Sequence, residues 1–272
     1  MNIGELNEIA RQVRIDIVHM LEAAKTGHPG GALSMVELLT VLYFAKMNIK
    51  IDQPKWPERD RFILSKGHGA TGLYAVLAER GYFPRKELLT LRQFQSRLQG
   101  HPDMKVTPGL DMSSGSLGQG LSIANGMALA GKLNHKKYQV YALVGDGELQ
   151  EGQIWEAAMS AAHYKLDNVT LFVDYNGLQI NGNNQEVMGI APIDGKFKMF
   201  GWNALEVDGH DVEAIDNAID EALAYQGKPT VIIAKTVKGK GISYMENDVN
   251  WHGSAPNEEQ CKQALVELGG NA

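Results

Sequence analysis

Two apolar runs constrain this chain more than anything else in it: Val140-Tyr-Ala-Leu-Val-Gly-Asp-Gly147 and Val169-Thr-Leu-Phe-Val-Asp-Tyr-Asn176. Both are rich in β-branched and aliphatic residues, and both end in polar or glycine positions. Gln153 to Lys165 between them has helical character, so the unit reads as strand, helix, strand. In an open parallel sheet, ligands bind at the carboxyl edge of the strands. Adjacent strands therefore bring Asp146 and Asn176 to the same edge. A carboxylate and an amide oxygen suit a hard cation, Mg²⁺ or Ca²⁺, which keeps room for diphosphate oxygens. Gly147 lets backbone N–H groups approach such a diphosphate with no side chain in the way. A Gly-Asp-Gly turn alone is common, and two ordinary strand-to-helix turns are the simpler alternative. The pairing of Asp146 with Asn176 is far more specific.

The rest of the chain repeats the alternation. Leu6 to Lys25 has helical periodicity and stops at Thr26-Gly-His-Pro-Gly-Gly31, which reads as a loop. Ser34 is a candidate N-cap for a helix over Met35 to Ala45, with Glu37 completing a capping box. Arg61 to Gly69 reads as a short strand ending in glycines, followed by a helix from Leu73 to Arg80. Pro108 to Gly120 is rich in glycine and serine, and Leu121 to Leu133 is a small-residue helix. Strands over Trp202–Val207 and Pro229–Val237 flank a helix from Val212 to Tyr225. A loop from Lys238 to Pro256 and a short helix, Asn257 to Leu268, close the chain. No linker or internal repeat interrupts the pattern. The expected fold is α/β: a doubly wound parallel sheet flanked by helices, in a single domain over residues 1–272.

Composition removes several function classes. A net charge of −6 and an absent basic stripe argue against nucleic acid as partner. The single cysteine, Cys261, excludes an internal disulfide framework and a cysteine-based zinc site, and fits a reducing cytoplasm. No apolar run approaches a membrane span, and the amino terminus lacks the pattern of a signal peptide. The expectation is a soluble cytoplasmic enzyme with neither nucleic-acid nor membrane partner.

Four of the eight histidines share one setting. His28, His68, His101 and His252 each sit beside glycine in a loop, and none falls on an apolar helical face. Loops at strand ends concentrate binding residues, and imidazole can donate to phosphate or hydroxyl groups and shuttle protons. His19, His135 and His163 fall in helical segments and His210 in a surface turn, where a solvated side chain is expected. No histidine pair has the helical spacing of a metal site.

Taken together, these segments resemble the amino-terminal third to half of transketolase, a thiamine diphosphate enzyme. The matching motifs are Thr26-Gly-His-Pro-Gly30, Asp60-Arg-Phe-Ile-Leu-Ser-Lys-Gly-His68, Gly115-Ser-Leu-Gly-Gln-Gly120, Gly145-Asp-Gly-Glu-Leu-Gln-Glu-Gly152 and the Asn176 segment, in order from about Leu6 to His252. The resemblance implies the thiamine diphosphate-binding fold known as PP-type. It implies a metal held by Asp146, Asn176 and the backbone carbonyl of Leu178. Gly147, His68 and His252 would contact the cofactor's diphosphate, with Gly145 also among the cofactor-binding residues. Gly115 and Leu117 would line its rings, and Ile180 would pack on the thiazolium. His28 and His101, together with His68 and His252, would face the donor sugar as catalytic residues, with His101 near the transferred two-carbon unit. Glu151 and Glu156 match family glutamates where cofactor-binding halves meet. Ser116, Glu148 and Tyr175 depart from the commonest family residues, proline, cysteine and aspartate.

The family places a second domain after this one, carrying the glutamate that activates the aminopyrimidine and the arginines that clamp the sugar phosphate. After Trp251 only a short tail remains, without an arginine. The resemblance therefore implies the amino-terminal subunit of a split transketolase. A separate carboxyl-terminal subunit would complete it, with two copies of each, acting on sugar phosphates. The alternatives are a related subunit of a deoxyxylulose-phosphate-synthase-like enzyme and a cofactor-binding regulatory domain without turnover.

Overall fold

Asn2 caps the first helix reciprocally: its side chain accepts from the Glu5 amide and the Glu5 carboxylate accepts from its own, both at 2.9 Å. The computed structural model describes residues 1–270. In chain order its elements are α1 (Ile3–Ala24), α2 (Pro29–Leu33), α3 (Val36–Val41), β1 (Arg61–Leu64), α4 (Ala70–Arg80), α5 (Gly120–Leu133), β2 (Val140–Gly145), α6 (Gly152–His163) and β3 (Val169–Tyr175). Then come a small hairpin of β4 (Leu178–Gln179) and β5 (Gly182–Asn183), α7 (Asn184–Val187), α8 (Ile193–Met199), β6 (Asn203–Asp208), α9 (Val212–Ala224), β7 (Thr230–Lys235) and α10 (Glu258–Glu267).

The five long strands form one sheet in the order β1-β2-β3-β7-β6, parallel throughout. Its strands are apolar on both faces because both faces are covered. Val140, Ala142 and Val144 of β2 pack with α5, α6 and α8 on one side. Tyr141 and Leu143 of the same strand pack with α1, α3, α4 and α9 on the other. Burying each such aliphatic or aromatic side chain contributes about 1.5–3 kcal/mol. The strand order reverses between β3 and β7, opening a crevice beyond their carboxyl ends, where doubly wound sheets bind ligands. No helix among the described residues is long and apolar enough to cross a membrane.

The expected alternation of elements is present, and several local readings are corrected. The segment Thr26–Gly31 is not all loop, because Pro29 opens α2, its fixed φ and missing N–H suiting the first helical position. Ser34 does not cap a helix. Its hydroxyl donates to Asp174 Oδ2 at 2.6 Å, a buried carboxylate that outcompetes any amide, and Glu37 turns away to Arg14 and His210. The helix expected over Met35–Ala45 becomes α3 continued by a wider π turn, Leu42–Lys46. His135 lies just past α5 in a left-handed turn, φ 54°, and not within a helix.

Candidate functional site

The crevice is built around a buried ion pair. Asp174, near the end of β3, is fully buried and accepts hydrogen bonds from Lys66 Nζ, Ser34 Oγ and Thr236 Oγ1. Burial opposes its charge, yet the neighbouring Lys66 ammonium and these hydrogen bonds hold its carboxyl below the usual range. Lys66 also donates to the Gly31 carbonyl at 2.7 Å. One carboxylate thus ties the loops after β1, α2 and β7 to the middle of the sheet.

Beside this pair lies a cavity of about 300 Å³, lined by His68, Gly115, Asp146, Asn176, Lys238 and His252 among others. Asp146 is buried, and its two oxygens accept from Gly147 N at 2.7 Å and Gly177 N at 2.5 Å. Burial, and then the charge of Asp174, push its carboxyl up to about 6. A cation at this spot would relieve both costs. Asn176 Oδ1 accepts from Leu178 N at 3.2 Å, and the Leu178 carbonyl accepts from Lys238 Nζ at 3.1 Å. That carbonyl is thus already turned toward a cationic group. Among the described residues no trio of histidine, cysteine or carboxylate side chains converges on a metal. A cation here would instead take one carboxylate with amide and carbonyl oxygens, the donor set of Mg²⁺ or Ca²⁺. Gln179, which lines the cavity and lies against Gly147, has its side-chain Nε2 buried without a partner. A ligand carrying oxygen anions is what such an orphaned donor fits.

Three histidines close the far side. The rings of His28, His68 and His252 form a triangle with centroids 5.2–5.7 Å apart. Burial, then the Lys66 charge, lower the His68 pKa to about 2, and burial, then the Lys238 charge, lower that of His252 to about 4. Both are neutral near pH 7 and can each donate one N–H. At 3.0 Å the Lys238 ammonium faces His252 Nδ1, which accepts, so Nε2 carries the proton. Burial and the repulsion of Lys66 lower the Lys238 pKa to about 8. Lys238 makes no ion pair among the described residues, unlike Lys66.

Of the residues expected from the sequence, His68, Gly115, Leu117, Gly145, Asp146, Gly147, Asn176, Leu178, Ile180 and His252 line this one cavity. His28 stands behind it in the imidazole triangle, with its Nδ1 buried and unpartnered. His101 flanks it through Gly115, whose φ of 155° favours glycine and whose added Cβ would lie 3.3 Å from the imidazole. Glu151 and Glu156 are exposed outside it. Sequence reasoning missed Lys66, Asp174 and Lys238, although two of these sit in glycine-flanked motifs like those of the histidines. It also missed that Glu148 is buried and pins the Gly115–Gly120 loop, accepting from Ser65 Oγ, Gly118 N (2.8 Å) and Gly145 N (3.1 Å). His210 is not solvated as expected: it bonds Glu37 and the Val237 amide.

Residues 6–272 match the family described as transketolase, thiamine diphosphate binding domain. The chain is 48% identical over 242 residues to 6-deoxy-6-sulfo-D-fructose transketolase subunit SqwG of Clostridium sp. (strain MSTE9), covering 89% of this chain and 88% of that subunit. It is 41% identical to an apulose-4-phosphate transketolase subunit of Phocaeicola vulgatus, covering 98% and 95%. Transketolase of Homo sapiens is 43% identical, with 97% of this chain covering 42% of that protein. The crystal structure of transketolase from Campylobacter jejuni superposes with a TM-score of 0.94 at 34% identity, over 100% of this chain and 44% of that one. The chain therefore spans most of the two subunits and less than half of the two longer transketolases. With the cavity at the sheet's switch point and a match running nearly end to end, the chain belongs to the transketolase family, as its thiamine diphosphate-binding domain.

Proposed function

We propose that this chain is the cofactor-binding subunit of a two-chain transketolase, forming one domain over residues 1–272. Together with a separate subunit that carries the pyrimidine-binding domain and its activating glutamate, it transfers a two-carbon ketol unit from a ketose phosphate to an aldose phosphate. The observation that carries the reading is the cavity at the β3–β7 crevice, where Asp146, Asn176, Leu178 and the neutral His68 and His252 converge. The two-chain arrangement is supported by the relatives called subunits, whose length this chain matches.

Asp146, the Asn176 side-chain oxygen and the Leu178 carbonyl hold Mg²⁺ or Ca²⁺. Gly147, His68, His252 and Lys238 bind the diphosphate side. Gly115 and the exposed Leu117 and Ile180 would flank the rings, with the partner subunit covering them. Bound thiamine diphosphate supplies a nucleophilic thiazolium carbon for cleavage next to a ketose carbonyl. His28 and His101 orient the donor hydroxyls, and a neutral imidazole there can take or return a hydroxyl proton. The exposed Glu151 and Glu156 face a second cofactor-binding subunit in an α2β2 assembly. The single cysteine supports a cytoplasmic setting.

Coexpression with the partner subunit tests this. The purified complex is expected to transfer two carbons from a ketose phosphate only with thiamine diphosphate and a divalent cation, and the lone chain to show no turnover. Turnover by the lone chain, or by the complex freed of cofactor, would contradict the reading.

A further inference from the structure

We propose that His210 is a positioning residue for the Lys238 segment, locked in its neutral Nδ1–H form by a relay that runs from Arg14 through Glu37. The role rests on the cofactor reading above. His210 lies in the turn between β6 and α9, and its side chain is only 13% exposed. Its Nε2 accepts the backbone N–H of Val237 at 2.8 Å, so that nitrogen carries no proton. Its Nδ1 lies 3.0 Å from Glu37 Oε2 and must be the donor. Glu37 on α3 is fixed in turn by Arg14 of α1, whose Nη2 reaches both carboxylate oxygens at 2.7 and 2.8 Å. Burial opposes the Glu37 charge, but the His210 hydrogen bond and the Arg14 guanidinium outweigh it, and the carboxyl stays below its usual range.

The relay ends on both sides of Lys238. Val237 is held by His210, and the Lys240 carbonyl accepts from Arg14 Nε at 3.0 Å. Within this bracket the Gly239 amide donates to Gly30 O at 3.1 Å, and the Lys238 carbonyl accepts from Asn247 N at 2.9 Å. From this held backbone the Lys238 side chain reaches into the cavity, to the Leu178 carbonyl and His252. Arg14, Glu37 and His210 do not line that cavity, so they act through the backbone and not by touching a ligand. A ring that gains a second proton, at Nε2, or an apolar ring, would leave the Val237 amide without its acceptor.

Titrating thiamine diphosphate with Mg²⁺ into the assembled two-subunit complex tests the role. His210→Phe is expected to raise the cofactor dissociation constant about tenfold, equivalent to about 1.4 kcal/mol, with kcat at saturating cofactor within about twofold of wild type. His210→Gln, whose amide can donate to Glu37 and accept from Val237, is expected to restore most of the affinity. A long-range ¹H–¹⁵N spectrum of the full chain near pH 7 is expected to show His210 protonated at Nδ1 alone. An Nε2–H or doubly protonated ring would overturn the relay. Unchanged affinity in His210→Phe, or a loss in kcat with affinity intact, would overturn the positioning role. Failure of the wild-type complex to bind cofactor would instead overturn the reading on which that role stands.

Discussion

The two ends of the parallel sheet each bury a pair of aspartates, and they use them differently. At the amino end, Asp60 accepts from the Asn48 and Gln139 amides, both at 2.8 Å, while Asp111 accepts from the Phe62 amide at 2.9 Å and from Arg59. All four oxygens are engaged by groups that start strands or hold a loop, and burial raises both carboxyls above their usual range. At the carboxyl end, Asp146 and Asp174 lie next to two lysines, three imidazoles and a cavity lined by the unpartnered Gln179 amide nitrogen. Burial is similar at both ends. What separates a structural cluster from a binding one here is whether surrounding polar groups are already satisfied by the chain itself.

Substitutions that treat the two ends alike would break this contrast. The largest effect is expected from Asp146→Ala, which removes the only charged protein ligand of the proposed cation. Cofactor affinity in the assembled complex should fall by about a thousandfold or more, some 4 kcal/mol, and calorimetry should detect little binding. Asn176→Ala, removing a neutral ligand, should fall clearly short of that; equal or reversed losses would place the cation elsewhere.

Next in size is Lys66→Met. It strands the fully buried Asp174 without its counter-charge, which costs about 3–5 kcal/mol. Urea denaturation of the chain should show that loss as a lower midpoint. A midpoint like that of wild type would mean the pair contributes nothing to the fold.

Asp60→Ala probes the amino end of the sheet. It orphans the Asn48 and Gln139 amides, at about 1–3 kcal/mol for each unsatisfied group. Stability should drop while the cofactor dissociation constant stays within about twofold, a margin of about 0.4 kcal/mol. A cofactor defect comparable to that of Asp146→Ala would erase the distinction drawn here.

The smallest of these effects divides the carboxyl end itself. His101 flanks the cavity through Gly115, whereas His68 lines it. Leaving a donor hydroxyl without its partner costs about 1–3 kcal/mol, so His101→Ala should lower kcat/KM for the ketose about five- to a hundredfold. Cofactor affinity should change little in that variant, but should weaken in His68→Ala. Steady-state kinetics and cofactor titration on both would expose the error if His101→Ala lost cofactor as severely.

The parts legible in the sequence were those whose signal is local. Val140–Gly147 and Val169–Asn176 carry their strands in their own apolar runs, and two parallel neighbours must present Asp146 and Asn176 at one edge. Glycine beside histidine likewise marks a turn without reference to the rest of the chain. The ion pair of Lys66 with Asp174 spans 108 positions, and the Ser34 bond to Asp174 spans 140, so only the strand order brings them together. Ser34 misled for the same reason, since a capping motif is local and the carboxylate that claimed its hydroxyl is not. The Leu178–Asn183 hairpin has two-residue strands, too short for any periodicity to announce them. His210 looked solvated because nothing near it in sequence reveals Glu37, 173 positions away.

If the β3–β7 crevice is the metal-dependent thiamine diphosphate site proposed above, cofactor binding must disappear with the cation. Calorimetric titration of thiamine diphosphate into the assembled complex should show saturable binding in Mg²⁺, none after exhaustive treatment with a chelator, and full recovery when Mg²⁺ or Ca²⁺ is returned. Binding of undiminished affinity in the chelated complex would contradict the account, because Asp146, Asn176 and the Leu178 carbonyl would then have no cation to hold.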